Sequence, residues 1–349
     1  MRKNYIYIGI LCILAMFAVA FSDISSDIWS SQVISDPRWY GYGIATVCTQ
    51  WGVGLIVALL GLIYLNTDML YSNRVVYGKL LPTAVVACLL WWITDALMYQ
   101  KTNFTNDLDW DTFFECMGNV LKERPTVFIL QLFVALFAFY PLLTRILRDQ
   151  KTLFYGMSVS FVIGMALPML EQIPYVRYLN LFTNQINWNF FTPFGFYLFL
   201  GVWAMKTDFQ WHHRVVVYCA GVLSTVAMLS FTKIFSETTP GVDTRFMEMN
   251  SPFGAFQVLA ILVLVKQVVR SYRGNKWVCL VLRECAMNLY GYIALYTVIT
   301  EIVAKYVMGD VAILALSCVV ISNIVCVLLR RIPGASFLLC DFDIRSGGL

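Results

Sequence analysis

Ten stretches of this chain run for about 20 residues each with almost no charge. They lie near 4–22, 42–66, 80–99, 127–146, 153–171, 189–206, 214–235, 253–270, 283–307 and 311–329. About 20 apolar residues wound as a helix span the hydrocarbon of a bilayer. A helix also satisfies its own backbone N–H and C=O groups where no water can. The pattern predicts an all-α membrane protein, a bundle of about ten transmembrane helices. Composition agrees, because 13% of the residues are charged and 59% hydrophobic, whereas a soluble domain carries about 25% charged residues. The longest polar stretch, 100–126, is too short for a soluble domain, so residues 1–349 read as a single integral membrane domain.

The chain opens with Arg2 and Lys3 ahead of the apolar run Asn4–Ser22. That run exceeds the roughly 7–15 residues of a secretory signal, and no small-residue cleavage site follows, so it reads as a retained first span. With the N-terminus inside, sixteen of the 25 Lys and Arg fall in the inner segments and eight in the outer ones. This bias predicts both termini on the cytoplasmic side. Most of the ten cysteines lie within apolar runs and read as small buried residues. No CxxC or Cys/His metal spacing occurs, no phosphate-binding glycine loop is present, and no basic domain points to nucleic acid. The outer loops mix acids with Trp29, Trp39 and Trp110. Such tryptophans form an interfacial belt or a platform on which sugars stack.

Four ordered stretches carry a resemblance. They are GVGLIVALLGLIYLN in the second span, TVFILQLFVALFAFYPLLTRIL, NFFTPFGFYLFLGVWAMK, and NLYGYIALYTVIT followed by a last span ending LLRRIP. In order and spacing they resemble the acyltransferase 3 family of integral membrane acyltransferases. The resemblance implies ten spans and transfer of an acyl group, often acetyl from acetyl-CoA, to a carbohydrate such as a surface polysaccharide. The family places an Arg and a catalytic His about eleven positions apart in the first span, and imidazole suits a base that takes a hydroxyl proton near neutral pH. This chain has Ile10 and Phe21 there, Tyr296 where a further His is usual, and Leu60 where the family has Ser. The resemblance therefore implies the scaffold and leaves the base to other residues.

Ionisable groups at membrane depth are functional candidates by default. Asp95 and Glu301 are the candidate catalytic carboxylates, with Tyr296 as an orienting hydroxyl; Glu301 and Lys305, four apart, could instead pair on one helix face. Glu171 closes the fifth span, and Gln131 and Gln257 read as interhelical hydrogen-bonding groups. Arg74, Lys79, Arg145 and Arg148, with Lys151, Lys266, Arg270, Arg273 and Lys276, form the inner basic set that could hold an acyl-CoA diphosphate. His212 and His213 are the only histidines and fall between spans six and seven. Gly156, Gly164 and Pro168 interrupt the fifth span as in transporters with broken helices, but no internal repeat and no mirrored interruption is read elsewhere. The expected function is acylation of a polysaccharide or its lipid-linked precursor in a bacterial inner membrane. A non-catalytic relative that binds or passes a glycan or lipid intermediate, and a transporter, are the alternatives.

Overall fold

The computed structural model describes residues 2–65, 71–103, 110–123, 125–171, 193–237, 241–248, 250–271, 275–307 and 309–332. Every regular element among them is helical. Among the described residues seven helices are long and apolar enough to cross a membrane, or up to nine if each of two bent pairs counts as one span. The chain is a multi-pass membrane protein. The described residues of each of the ten expected runs fall largely on helix. Of the 189–206 run, Pro193–Lys206 is described and is helical. Residues 189–192 lie outside the described ones.

The fold divides into two compact units, Met1–Thr67 with Arg145–Leu282, and Asp68–Thr144 with Arg283–Leu349. In the first unit, α1 (Arg2–Ser30) packs on α2 (Pro37–Thr49) and α3 (Trp51–Tyr64). Taking α4 as Leu81–Asn103, α5 as Trp110–Glu123, α6 as Pro125–Ala138 and α7 as Tyr140–Arg148, the chain returns to this unit with α8 (Gln150–Phe161) and α9 (Leu167–Glu171). Helices α10 (Pro193–Lys206), α11 (Trp211–Ser236) and α12 (Pro252–Ser271) complete its packing. Two further helices, α13 (Lys276–Met287) and α14 (Leu289–Tyr306), precede the last, α15 (Val311–Leu329). In the second unit, α4 packs on α5, α6 and α14, and α14 packs on α6 and α15.

Between apolar helices in lipid the hydrophobic effect gives little, so close van der Waals approach at small residues must hold them together. Helices α3 and α10 meet that way. A Cβ added at Gly61 would lie 2.3 Å from the Leu198 carbonyl oxygen, and one added at Gly201 would lie 2.2 Å from the Ala58 carbonyl oxygen. Each glycine thus faces the other helix's backbone one turn from its partner. Hydrogen bonds add direction to this packing. Tyr7 donates to the Leu262 carbonyl at 3.2 Å, Ser22 to Gln50 Oε1 at 2.8 Å, and Gln50 Nε2 to the Met247 carbonyl at 2.7 Å. Gln257 Nε2 donates to the Val47 carbonyl and to Thr225 Oγ1, so its interhelical role is as expected.

Prolines set the irregularities. Pro141 cannot donate a backbone N–H and its ring crowds the preceding turn. The span bends by 76° between Ile129–Ala138 and Tyr140–Arg148. Leu142 N–H turns to the Phe139 carbonyl, and the Tyr77 hydroxyl donates to the Ala138 carbonyl at 3.1 Å. Two further prolines follow wide π turns, Val76–Leu80 before Pro82 and Val162–Ala166 before Pro168. In each, the N–H of the next residue reaches back five positions, Leu81 to Val76 and Leu167 to Val162. Four residues before each proline, where its ring would crowd a carbonyl, stands a glycine, Gly78 or Gly164.

The α3/α10 contact gives a direct test. Gly201→Ala should cost about 1–3 kcal/mol, because the new methyl meets backbone that cannot rotate away. Gly41→Ala, with nothing within 4 Å of the added Cβ, should be neutral or stabilising by about 0.5–1 kcal/mol. Thermal midpoints of the two variants in one detergent check this, and equal midpoints would remove the contact from its central place.

Candidate functional site

The three candidate catalytic residues lie in the second unit. Asp95 sits in α4 and is 1% exposed. Beside it, Ala96 joins Val120 and Val127 in a small core to which Trp92, Tyr99, Phe113 and Met117 add their rings and thioether. The Trp92 indole donates to the Met117 carbonyl at 3.1 Å, which ties α4 to α5. A carboxylate at this depth, on a helix that spans, is costly to keep charged unless polar groups surround it. Tyr296 is buried on α14, its ring 5.6 Å from that of Tyr292. Glu301, further along α14, is half-buried, and the ammonium of Lys305 lies over the Tyr306 ring. Helices α4 and α14 touch, so these residues share one packed unit. Among the described residues no group of three or more His, Cys, Asp or Glu could hold a metal.

A second polar centre, not anticipated from sequence, lies at the break between α13 and α14. The two helices bend by 69° at Asn288. Asn288 Nδ2 donates to Asn323 Oδ1 at 3.0 Å, and Asn323 Nδ2 donates to the Val319 carbonyl at 2.8 Å. That chain of bonds fixes both amide orientations. Near the end of α15, Arg330 pairs with Glu284 at 3.4 Å, its side chain 13% exposed. The signal available in sequence was a pair of asparagines and an arginine at the ends of otherwise apolar spans. Each alone reads as loop polarity, and only the bend brings them together.

The basic set is divided. Arg74 and Lys79 belong to the second unit, Arg145 and Arg148 to the first, and all four are exposed. Lys266 is committed elsewhere. Its ammonium donates to the carbonyls of Ala204, Met205 and Thr207 at 3.1, 2.7 and 2.8 Å. Those bonds use all three donors of a lysine and satisfy the end of α10, where helix carbonyls lack intrahelical partners. Lys206 likewise donates to the Leu147 carbonyl near the end of α7. Some of the positive charge read as a donor-phosphate site is therefore helix capping.

Two other expectations change. Trp29 and Trp39 are 1% and 0% exposed, with ring centroids 5.1 Å apart, in a core with Val47, Met228 and Met247. Neither can stack on a sugar, because the covered faces are not accessible; Trp110 remains exposed. The physical reason is that α1 continues to Ser30, and the helix carries Trp29 against Gly43 of α2. His212 and His213 lie in the first turn of α11, exposed, with ring centroids 4.1 Å apart. In α1, Phe21 packs against Phe17, their ring centroids 5.5 Å apart. The Glu171 side chain lies outside the described residues.

One ion pair near the end of α11 predicts a pH response. Asp243 accepts Arg245 Nε on both carboxylate oxygens at 2.9 Å and receives the Arg245 backbone N–H at 3.2 Å. The guanidinium holds this carboxyl below the usual aspartate range. A carboxylate whose folded value is depressed stabilises the fold above its unfolded value, about 3.9. That contribution is lost as pH falls through the folded value. Asp243→Asn should therefore flatten the acid limb of the stability profile below pH about 4 and cost about 1 kcal/mol at neutral pH. Unfolding midpoints between pH 3 and 7 measure it, and an unchanged acid limb would contradict the assignment.

The chain matches no protein-family model, no curated protein and no solved structure.

Proposed function

We propose that the protein is an acyltransferase 3-like enzyme of a bacterial inner membrane, with both termini cytoplasmic. It would move an acyl group, acetyl in the first instance, from acyl-CoA to a hydroxyl of a cell-surface polysaccharide or its lipid-linked precursor. The observation that carries the reading is the burial of Asp95 within a spanning helix. An acid at that depth is retained at a cost, and proton transfer is the work such groups do. In this scheme the Asp95 carboxylate takes the proton of the attacking hydroxyl. The hydroxyl oxygen bonds to the thioester carbonyl carbon, the C–S bond breaks, and the CoA thiolate leaves and regains a proton. Tyr296 donates to the oxygen that gains charge, and Glu301 is the second carboxylate within the unit. Exposed Arg74 and Lys79 of the same unit meet the donor's phosphates, one as a fork and one as a point charge.

A second reading rests on different observations. The bends of 76° and 69° leave two spans broken, and broken spans recur where a membrane protein passes a polar substrate. On that reading the chain binds or conducts a glycan or lipid-linked intermediate without acylating it.

Purified full-length protein in nanodiscs, given radiolabelled acetyl-CoA and a lipid-linked glycan extract, separates the two. Transfer that falls at least about 100-fold in Asp95→Asn, with donor binding kept, is the expected outcome for a base. Absence of transfer by the wild type, with glycan binding retained, would replace the enzyme by the passage reading.

A further inference from the structure

The heptapeptide Val76-Tyr77-Gly78-Lys79-Leu80-Leu81-Pro82 and the heptapeptide Val162-Ile163-Gly164-Met165-Ala166-Leu167-Pro168 share one pattern, V-x-G-x-x-L-P. The structure gives both the same local fold. Each winds its first five residues as a π turn, and each closes it with the leucine N–H on the valine carbonyl. One lies in the candidate span Asn73–Gln100 and the other in Gln150–Leu170. One belongs to each compact unit. The interruption at Gly164 and Pro168 therefore has a counterpart, which sequence reading missed because its apolar residues merge into the third span.

The chemistry of the turn decides what it can do. In the five-residue register the donor after leucine would be residue 82 or 168, and both are proline. The ladder must stop there, so the carbonyls of Tyr77 and Ile163 have no donor five positions on. Glycine at the third position leaves the turn without a side chain to hold it closed. A π turn inside an α-helix is a local insertion whose ladder can shift by one residue, and such turns concentrate where helices do work. The first turn also carries a latch. The Tyr77 hydroxyl donates to the Ala138 carbonyl, at the bend of the Ile129–Arg148 span in the same unit.

We infer that the two V-x-G-x-x-L-P turns are matched hinges, through which each unit bends one of its spans while the rest of that span stays wound. The hinges do not depend on the chemistry assigned to Asp95, and their test reads motion instead of turnover. Hydrogen exchange is followed by mass spectrometry on the full chain in nanodiscs, without substrate. Amides of 77–81 and 163–167 should exchange at least about tenfold faster than those one turn away in the same helices, at 84–87 and 156–159. Pro82→Ala and Pro168→Ala restore the missing donor, and each should slow its own segment about tenfold. Tyr77→Phe should speed exchange in 77–81 and leave 163–167 unchanged. Equal protection of both turns and their neighbours in the wild type would overturn the inference whether or not the variants fold. So would alanine variants that exchange as fast as the wild type.

Discussion

Close approach of α3 and α10 at Gly61 and Gly201 is the contact on which the first unit depends. The described part of α10, Pro193–Lys206, is apolar up to its terminal lysine. What positions it is backbone lying against backbone, each glycine removing the side chain that would separate the two axes. Lys266 then closes the end of α10 by donating to three carbonyls, and Tyr197 of α10 reaches Gly54 of α3 from the other end. Helices α1 and α12 pack around this pair. The order of dependence runs from two missing side chains to a helix pair, and from the pair to the unit.

Many polar groups in the interior bond to a backbone carbonyl or to a side chain of another segment. Ser22, Gln50 and Gln257 in the first unit, and Asn288 and Asn323 in the second, are examples. In water such bonds add little, since solvent competes for both partners. In hydrocarbon they choose which faces meet and in which register. Asp95 is the one buried carboxylate within a described candidate span.

The helices were legible because a bilayer imposes length and apolarity, and both are read directly from residue type. Bends and wide turns were less so. Pro141, Pro82 and Pro168 are visible in the sequence, but whether a proline kinks, breaks or widens a helix depends on which donor next finds the orphaned carbonyl. Next to Pro141 the Ala138 carbonyl accepts the Tyr77 hydroxyl, 61 residues away in sequence. The aromatic loops misled for a related reason. Trp29 and Trp39 read as surface because polar residues flank them, and their burial depends on α1 running past the apolar segment to Ser30. At the candidate site, sequence singled out Asp95, Tyr296 and Glu301 by depth, while the Asn288 centre needed the fold to assemble it.

The buried tryptophan pair has a use beyond packing. Trp29 and Trp39 lie 5.1 Å apart at 61°, and neither indole N–H has a hydrogen-bond partner among the described residues. Two indoles held that close and that tilted couple their electronic transitions, so they absorb circularly polarised light as one chromophore. The coupling decays steeply with separation and vanishes when the angle is no longer fixed. The near-ultraviolet dichroism of this protein therefore carries an intrinsic optical gauge of how firmly α1 and α2 are held together, with no label attached.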